Sequence, residues 1–384
     1  MKIIVSDFRV TGNEHLAVNI AILKSLTEKY KDGVHFFGAK SHIEAINENE
    51  PNLKIKWHPT SETYGKNRIL TFILRELIFP YKYIKTIWYQ KYLGGNTKYL
   101  TTTLSPINHP IKIIIDRLFR KKNDNVILHA ELELLKHDTS LSISKIFMLI
   151  WKKLIKSSEN GTNYIVLSPH IKDNLISIDK IFKSFSAGFH PFPESFISNL
   201  KNDCKNKKVR IGIPGLIKPE TKGVNIIFNI EKSLIDLDLI DKIDLFLIGR
   251  ASRGFKIPNE SKVKAPFLEY KAPVDQKTFD NEIRNLDYIL LPYPHDSYKL
   301  TASGAVFDAV KYKTPILGLK NSLFDYMHQN KFFPGELFDS EEELIEKVLK
   351  IAKEVDYNKN KHKILIYNLI KASNPKKFIL DAKL

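Results

Sequence analysis

Short apolar runs alternate with helix-forming stretches along nearly the whole chain of 384 residues. Runs at residues 2–6, 34–37, 126–130 and 164–167 are followed by polar turns and then by apolar residues at helical spacing. Such repeats are typical of a parallel sheet covered by helices, in which ligands bind beyond the carboxyl ends of the strands. The pattern predicts an α/β protein with Rossmann-like, doubly wound sheets.

A second series of strand signals begins near residue 208 and predicts strands at 209–213, 244–248, 267–270 and 288–291. The stretch between the two series, residues 186–208, contains glycine, prolines and an Asn- and Lys-rich run, which is typical of a linker. The chain is also longer than one ordinary core requires. These features predict two domains with a boundary in this stretch.

The expected boundaries place an N-terminal domain at 1–190 and a C-terminal domain at 205–355. Residues 356–384 are expected to form a helical segment, and packing back on the N-terminal domain is one option for it.

The chain carries a formal net charge of +17, from 60 Lys and Arg against 43 Asp and Glu. This excess favours anionic partners such as phosphorylated substrates, nucleic acid or an acidic membrane surface, although lysine-rich codon usage is an alternative cause. The single cysteine, Cys204, excludes an intramolecular disulfide and a cysteine zinc cluster. No signal peptide or membrane-spanning run is recognised, so a cytoplasmic location is expected.

Residues 69–93 interleave aromatic and basic side chains. One interpretation is an amphipathic helix pair, interrupted at Pro80 and packed on the first domain with its lysines in water. The other is a surface that contacts the headgroup zone of an anionic membrane. Both interpretations stay open at the level of the sequence.

Residues 302–310 begin a helix with small side chains and continue it with apolar ones, directly after a predicted strand and a polar loop. A helix start exposes unpaired N–H groups and the positive end of the helix dipole. Gly304 leaves room for an anion, and Ser303 caps the helix or donates its hydroxyl. Asp308, about one turn further, is placed to accept hydrogen bonds from a ribose diol. The alternative is a plain serine-capped helix.

Two more turns follow predicted strands of the second series. After its first strand, glycines and prolines form a turn that contains Gly215, with Lys218 and Lys222 beside it. A lysine supplies a point charge suited to a diphosphate, although the same pattern also fits a surface turn with solvated lysines. A later strand ends at Gly249 and Arg250. All these turns are expected at one edge of one sheet.

The order of these elements resembles the nucleotide-binding domain of GT-B glycosyltransferases, especially the glycogen-synthase-like group (group 1). The resemblance covers about residues 209–318 and is most specific around 298–318. Its parts are a Lys-Gly turn, a strand that ends in glycine, a short strand and loop near the nucleobase, a proline-bearing strand before an acid-bearing helix, and a final strand. In this sequence these parts are Lys222-Gly223, Leu247-Ile248-Gly249, Tyr270-Lys271-Ala272-Pro273, Leu291-Pro292 through Asp308, and Lys313-Thr314-Pro315-Ile316-Leu317-Gly318.

The resemblance implies two Rossmann-like domains facing a cleft and no bound metal or other cofactor. It implies that the N-terminal domain binds the acceptor and that the C-terminal domain binds the donor, a nucleotide-diphosphate sugar. It implies diphosphate contact at Lys222, Ser303 and Gly304, and ribose contact at Asp308. The full set of candidate donor-binding residues is Gly12, Gly215, Lys218, Lys222, Arg250, Tyr270, Ala272, Tyr298, Ser303, Gly304 and Asp308.

Two positions depart from the pattern of that group. An acid is frequent eight residues before the helix acid, and Leu300 occupies that position here. A basic residue is usual directly after the first-strand glycine, where this chain has Leu216, and Lys218 is the candidate replacement. Because the paired-carboxylate signature is absent, the sequence does not assign a retaining or an inverting reaction.

The first half of the chain is expected to supply the acceptor site and any catalytic base. Gly12 lies in the loop after the first strand, which suits the glycine loop that such enzymes place near the donor. His129 and Glu131 follow the strand at 126–130, and alternation predicts that they point to the same side. Either side chain is a candidate general base for an acceptor hydroxyl. The alternative for His129 is a strand-end histidine satisfied by a backbone group.

The leading interpretation is a glycosyltransferase of the hexosyltransferase type. It would move a sugar from a nucleotide-diphosphate sugar to a hydroxyl of a glycan or lipid-linked glycan, in bacterial lipopolysaccharide or capsule synthesis. A sugar-nucleotide epimerase of the same architecture is one alternative, and a basic nucleic-acid-binding protein is another. No nucleic-acid module is recognised in the sequence, so we expect no nucleic-acid partner. An anionic membrane surface, contacted from the cytoplasmic side, is a candidate partner.

Overall fold

The computed structural model describes residues 1–62, 68–94, 96–121, 124–136, 140–156, 161–197, 208–252, 254–270, 274–354 and 362–384. These residues form two compact units. The first consists of Met1–Pro193, Leu300–Ala302 and Ser373–Leu384, and the second of Glu194–Lys299 and Ser303–Ala372. Each unit is an α/β layer structure around a parallel sheet, which confirms the fold class predicted from the alternating pattern.

The first unit contains a seven-stranded parallel sheet among its described residues. In chain order its strands are β1 (Ile3–Asp7), β2 (Val34–Ala39), β3 (Lys56–Thr60), β4 (Lys98–Thr101), β5 (Asp124–Leu128), β6 (Asn163–Val166) and β7 (Ser186–Ala187). Their spatial order is β3-β2-β1-β4-β5-β6-β7, so the order reverses between β1 and β4. In sheets of this kind the carboxyl edge at the reversal is the usual place for a ligand.

Helices flank this sheet and bury its apolar strands. They are α1 (Leu16–Tyr30), α2 (Lys40–Asn49), α3 (Arg68–Leu93), α4 (Asn108–Leu118), α5 (Ile143–Lys156) and α6 (Pro169–Ile178). Strands β1 and β5 are buried along their whole length. Continuous burial on both faces is the expected condition of strands in a parallel α/β sheet.

The 69–93 segment forms one helix, α3, and the predicted interruption at Pro80 is wrong. Proline in a helix interior removes one hydrogen bond and costs about 3 kcal/mol. Here Phe79, Tyr83 and Ile87 are almost fully buried. The Tyr83 hydroxyl also donates to Asp116 over 2.6 Å. This packing on both sides of the proline holds the helix continuous.

The second unit contains a five-stranded parallel sheet among its described residues. Its strands are β8 (Val209–Pro214), β9 (Ile243–Ile248), β10 (Tyr288–Leu291), β11 (Ile316–Leu319) and β12 (Gly335–Phe338), in the spatial order β12-β11-β10-β8-β9. Its helices are α7 (Pro219–Lys222), α8 (Ile226–Asp236), α9 (Gln276–Arg284), α10 (Ala305–Tyr312), α11 (Ser322–Gln329), α12 (Glu341–Lys353) and α13 (Lys363–Ala372). Because β8 lies between β9 and β10, the turns that follow these three strands are neighbours.

Two local predictions differ from the structure. Residues 266–269 form a turn and Tyr270 lies in no strand, where a strand at 267–270 was predicted. Glu131 lies in a 3-10 helix, Ala130–Leu135, because β5 already ends at Leu128. Strand alternation therefore does not relate Glu131 to His129.

The end of the chain returns to the first unit as α14 (Pro375–Asp381). The backbone N–H of Phe192 donates to the carbonyl of Ser373 over 3.0 Å, and the Asn163 side chain donates to the Ala382 carbonyl over 2.8 Å. A Cβ on Gly188 would lie 2.6 Å from the Phe378 ring, so this glycine permits the close approach of α14. No helix within the described residues is long and apolar enough to cross a bilayer.

Candidate functional site

The turn after β8 places a lysine amine against a glycine. Gly215 has φ +90°, a conformation that favours glycine, and a Cβ there would lie 2.8 Å from the Lys222 amine. The same amine donates to the Pro214 carbonyl over 2.9 Å. The Lys222 side chain therefore folds back over the carboxyl end of β8, toward the edge where ligands of such sheets bind.

Two further glycines bring the neighbouring turns together. A Cβ on Gly223, whose φ is +59°, would lie 1.9 Å from the Pro292 carbonyl oxygen, just after β10. A Cβ on Gly249, after β9, would lie 2.0 Å from the Gly215 carbonyl oxygen. No larger residue fits either position without moving the backbone. The turns after β8, β9 and β10 thus meet at one edge, as the sequence predicted.

Lys222 and Asp308 form an electrostatic pair in this region. Burial lowers the pKa of Lys222 to about 8, and the charge of Asp308 opposes that shift. Burial also raises the pKa of Asp308 to about 7, against the charges of Lys311 and Lys222. Each side chain is partly removed from water, and the opposite charges near it offset only part of the cost of burying its own charge. Side chains whose pKa values are shifted in this way are frequent in ligand-binding and active sites.

Helix α10 begins beside these turns, with Gly304 at its N-cap position. Ser303 is buried, and its hydroxyl lies 2.9 Å from the Tyr293 hydroxyl. The Tyr298 ring packs on the Tyr293 ring, with 4.4 Å between centroids. Apart from its neighbours in the chain and the backbone of α10, no atom of the described residues lies within 4 Å of the position that a Cβ of Gly304 would take. The start of α10 is therefore open, and the protein's own packing does not require glycine there.

Two of the other candidate residues, Lys218 and Tyr270, have exposed side chains. Lys218 is exposed at the N-cap position of α7, and Tyr270 is half exposed with its ring against Phe267. The carbonyl of Arg250 accepts a hydrogen bond from Ile217 over 2.9 Å, which ties its backbone to the turn after β8. Ala272 lies outside the described residues.

In the first unit, a buried carboxylate organises the loop after β1. Asp7 accepts hydrogen bonds from Thr102, over 2.8 Å, and from Thr103. It also accepts from the Asn19 side chain over 2.9 Å and from the backbone N–H of Val10 over 3.2 Å. These four donors satisfy a carboxylate that would otherwise be costly to bury.

The same network extends to Gly12. The Asn19 amide nitrogen lies 2.8 Å from Nε2 of His42, whose Nδ1 lies 2.7 Å from the Gly12 carbonyl oxygen. Asn19 donates to both neighbours only if His42 carries its proton on Nδ1 and donates it to Gly12. The Gly12 N–H donates to the Ser41 hydroxyl over 3.1 Å. Gly12, with φ +53°, is therefore fixed from both sides.

His129 lies after β5, with Nε2 2.7 Å from the Thr102 carbonyl oxygen. Since a carbonyl only accepts, Nε2 carries the proton and Nδ1 keeps the lone pair. Burial, together with the charge of His15, lowers the pKa of His129 to about 4. The His15 ring lies edge-on at 4.8 Å between centroids. His129 is thus neutral near pH 7 and has one basic nitrogen.

Glu131 is held by its neighbours. It accepts from the backbone N–H of His129 over 3.0 Å, and Nε2 of His109 lies 3.3 Å from the same carboxylate oxygen. Burial acts to raise the pKa of Glu131, but the hydrogen bond and charge of His109 hold it below the usual value. This arrangement suits a residue that positions the His129 backbone better than one that accepts a proton.

Some residues that shape the sites were absent from the candidate set. Tyr293 carried no motif, and only the fold brings it to Ser303. Asp7 and Thr102 each stand at or just beyond the end of a strand, which was the available signal. Leu300, at the position where the glycogen-synthase-like group frequently has an acid, is buried in the apolar core of the first unit.

No family model matches the sequence, and no curated protein sequence matches it. Solved structures do match it in fold. The galactosyltransferase WaaB of the lipopolysaccharide outer core is 13% identical with a TM-score of 0.58, and each chain is covered completely. HepE from Anabaena, solved with UDP, is 13% identical with a TM-score of 0.60, covering 100% of this chain and 98% of its own. The chain has the GT-B fold.

A third match repeats this fold in another enzyme. Sucrose-phosphate synthase from Thermosynechococcus elongatus is 11% identical with a TM-score of 0.61, and 100% of this chain and 96% of the synthase are covered. The shared GT-B architecture extends over both units rather than over residues 209–318 alone. Sequence identities this low establish the fold and leave the chemistry to the residues of this chain.

Proposed function

We propose that this protein is a glycosyltransferase that moves a sugar from a nucleotide-diphosphate sugar to a hydroxyl group. The observation that carries the proposal is the carboxyl edge of the second unit. There Gly215, Gly223 and Gly249 bring three turns together, and Lys222 and Asp308 are partly desolvated beside them. This is an electrostatic environment for a diphosphate and a sugar diol, within a GT-B fold.

In the proposed reaction, the acceptor oxygen forms a bond to the anomeric carbon of the donor sugar. The bond between that carbon and the diphosphate oxygen breaks, and its electron pair leaves on the diphosphate. Lys222 and the backbone N–H groups that open α10 would stabilise the negative charge of the departing group. Asp308, when ionised, would accept hydrogen bonds from the ribose hydroxyls.

His129 is the proposed base for the acceptor hydroxyl, acting through Nδ1. Its fixed Nε2 hydrogen bond orients the ring, and Glu131 positions its backbone. The lowered pKa keeps the ring neutral near pH 7, so Nδ1 has a lone pair that can take the proton of the acceptor hydroxyl.

A glycan or lipid-linked glycan is the proposed acceptor, in cell-surface polysaccharide synthesis on the cytoplasmic side of a membrane. The similarity to WaaB, described as a lipopolysaccharide outer core galactosyltransferase, supports this class. The similarity to HepE, solved with UDP, supports a uridine nucleotide as the first donor to test.

The donor site is tested with the variant Lys222→Ala and the matched control Lys232→Ala. Lys232 is an exposed lysine of α8 in the same unit. Removing a desolvated cation from a diphosphate site should weaken binding about 30-fold. Calorimetry with UDP and other nucleoside diphosphates measures the effect. Equal affinities for wild type and Lys222→Ala would disprove the site.

The reaction itself is tested by incubating the protein with nucleotide sugars, with and without glycan acceptors, and analysing products by mass. A sugar added to the acceptor supports transfer. An isomerised nucleotide sugar in the absence of acceptor would instead establish an epimerase. His129→Gln should lower kcat about 100-fold while nucleotide affinity stays unchanged, because the general base acts on the acceptor. An unchanged kcat would remove His129 from the mechanism.

A further inference from the structure

Most exposed large apolar side chains of the first unit lie on three neighbouring helices. Apart from Met1 and Leu380, those in the described part of this unit are Ile69, Leu70, Phe72, Ile73, Leu77, Tyr81, Trp88, Tyr92, Ile114, Leu118, Leu141, Ile143, Ile146, Leu149 and Ile150. All of them belong to α3, α4 or α5, or immediately precede α5. Isolated exposed apolar residues are ordinary, but this concentration on one group of helices marks an interaction surface.

On α3 these residues form a continuous stripe. Leu70, Ile73, Leu77, Tyr81, Trp88 and Tyr92 recur at intervals of three, four or seven residues, which places them along one side of a helix. The buried residues Phe79, Tyr83 and Ile87 lie on the opposite side. With 26 residues, the helix is about 39 Å long. It therefore has two apolar faces, of which only one is covered by the unit itself.

Helices α4 and α5 extend this surface beside α3. The Trp88 ring meets the ring of Phe119, just after α4, edge-on at 6.2 Å. Arg117 of α4 donates to the Leu154 carbonyl of α5 over 3.0 Å, so α4 and α5 are also adjacent. The α5 stripe contains Ile143, Ile146 and Ile150 at helical spacing. We call the exposed sides of α3, α4 and α5 the three-helix face.

The charges of the three-helix face have one sign. The only acids in the three helices are Glu76 and Asp116, and both are buried. Exposed bases include Lys85, Lys91 and Lys153.

Two of the lysines lie over aromatic rings of the stripe. The Lys85 amine is 4.6 Å from the Tyr81 ring centroid, and the Lys91 amine is 5.3 Å from that of Trp88. Lysine stems that follow apolar surface and end at a polar boundary are typical of membrane-interface helices.

We propose that the three-helix face binds the surface of an anionic lipid bilayer. Its apolar side chains would enter the boundary between headgroups and acyl chains, and its lysines and arginines would bind lipid phosphates. The aromatic side chains of Tyr81, Trp88 and Tyr92 suit the same zone, because each has an apolar ring and a polar group. This inference adds a partner to the proposed function and is independent of the donor chemistry.

The charge pattern favours a bilayer over a second copy of the chain. A symmetric pair formed through the three-helix face would place two surfaces with only basic exposed charges against each other, which is unfavourable. An anionic lipid surface complements both the charge and the apolar stripe.

A buried ionic network holds this face in shape. Lys112 bonds to Asp116 over 2.7 Å, and Lys121 bonds to Asp124 over 2.8 Å. Tyr83 of α3 donates to Asp116 of α4, so the two helices are joined in the core. The face therefore exists before any lipid is bound, and binding does not have to order it.

The proposal is tested by flotation of the full-length protein with lipid vesicles and no nucleotide. Wild type should bind vesicles of phosphatidylcholine mixed with phosphatidylglycerol, bind pure phosphatidylcholine much more weakly, and lose affinity at high salt. Leu77→Glu should weaken binding to the anionic vesicles by about tenfold or more, because a carboxylate replaces an inserted apolar group.

Leu380→Glu is the matched control, because Leu380 is 72% exposed, Leu77 is 69% exposed, and Leu380 lies on α14 away from the face. Ile146→Glu tests α5 separately and should also weaken binding. Equal loss in Leu380→Glu, or no binding by wild type, would overturn the proposal. So would a dimer in lipid-free solution that Leu77→Glu dissociates, because the second copy would then be the occupant.

An unchanged urea-unfolding curve in Leu77→Glu, followed by tryptophan fluorescence, shows that the first unit remains folded. Vesicle binding without nucleotide affinity would support the three-helix face and reject the donor site, so the two proposals fail separately.

Discussion

The carboxyl edges of the two parallel sheets are built in different ways. In the second unit the edge is built from backbone, with Gly223 and Gly249 in close approaches that no side chain permits. In the first unit it is built from side chains, with buried Asp7 accepting hydrogen bonds from four donors. The backbone edge leaves N–H groups and a lysine for a ligand, whereas the side-chain edge uses its polar groups internally.

This difference indicates where each unit is vulnerable. Loss of a polar partner in the first unit should damage folding, because buried donors remain without acceptors. Loss of the Lys222 charge in the second should damage binding more than folding, because its amine makes one hydrogen bond within the unit, to the Pro214 carbonyl. All three tryptophans, Trp57, Trp88 and Trp151, lie in the first unit, so their fluorescence reports on that unit alone.

The largest expected effect is in Asp7→Ala. The variant leaves four buried donors without their acceptor, so the free energy of unfolding of the first unit should fall by about 4 kcal/mol. Urea unfolding followed by tryptophan fluorescence measures this. Asp32→Ala, which changes an exposed aspartate of the same unit, should leave the curve unchanged. If Asp7→Ala were as stable as Asp32→Ala, the first unit would not depend on this network.

A smaller effect is expected from Gly223→Ala. The added Cβ meets the Pro292 carbonyl and the backbone has a positive φ, so the second unit should lose about 3 kcal/mol of stability and its nucleotide affinity. Tryptophan fluorescence should not change.

Gly304→Ala is the matched control for Gly223→Ala. The added Cβ contacts no atom outside the neighbouring residues, so the free energy of unfolding should change by less than about 0.5 kcal/mol. Diphosphate binding should nevertheless weaken. Calorimetric unfolding scans and UDP titrations check both variants. Loss of stability in Gly304→Ala would mean that α10 needs this glycine for folding.

The smallest expected effect is on pH dependence. Free Lys222 has a pKa of about 8, and a bound diphosphate must raise it because the anion stabilises the ammonium. Affinity should therefore fall about tenfold for each pH unit between the free pKa and the raised pKa of the bound state, with proton uptake on binding, and level off above the raised value.

The control for this dependence is Lys222→Ala, which should lack it. Asp308, with a pKa of about 7, becomes neutral at lower pH and then accepts hydrogen bonds less well. His129, with a pKa of about 4, does not titrate in this range. UDP titrations in buffers with different ionisation enthalpies measure the proton uptake, and a slope that persists in Lys222→Ala would assign it to another group.

Much of the second unit's edge was predictable because its elements are local. Lys222-Gly223 and Gly249 each follow a strand within a few residues, and parallel topology brings such turns to one side. The hydrogen bond between Tyr293 and Ser303 was not predictable, because it depends on how the loop between β10 and α10 folds back. Which residues contact the diphosphate and the ribose of the donor remains a prediction.

In the first unit, less of the structure was predictable from the sequence. Pro80 indicated a helix interruption, yet the buried aromatics of α3 stabilise the continuous helix more than the proline destabilises it. The sequence indicated an amphipathic segment at residues 69–93 but not that its exposed apolar surface continues on α4 and α5. Exposure depends on which face the sheet covers, and single-helix periodicity does not reveal this.

The sequence by itself determined the alternation of strands and helices, the two-unit layout and the order of the glycine-bearing turns. These depend on periodicity and on backbone conformations that few residues adopt, so they can be read locally. Only the tertiary structure decided that Asp7 is an internal acceptor, that Glu131 is held by His109, and that three helices share one uncovered apolar face. Each of these depends on contacts between residues distant in the chain, where burial determines what a side chain can do.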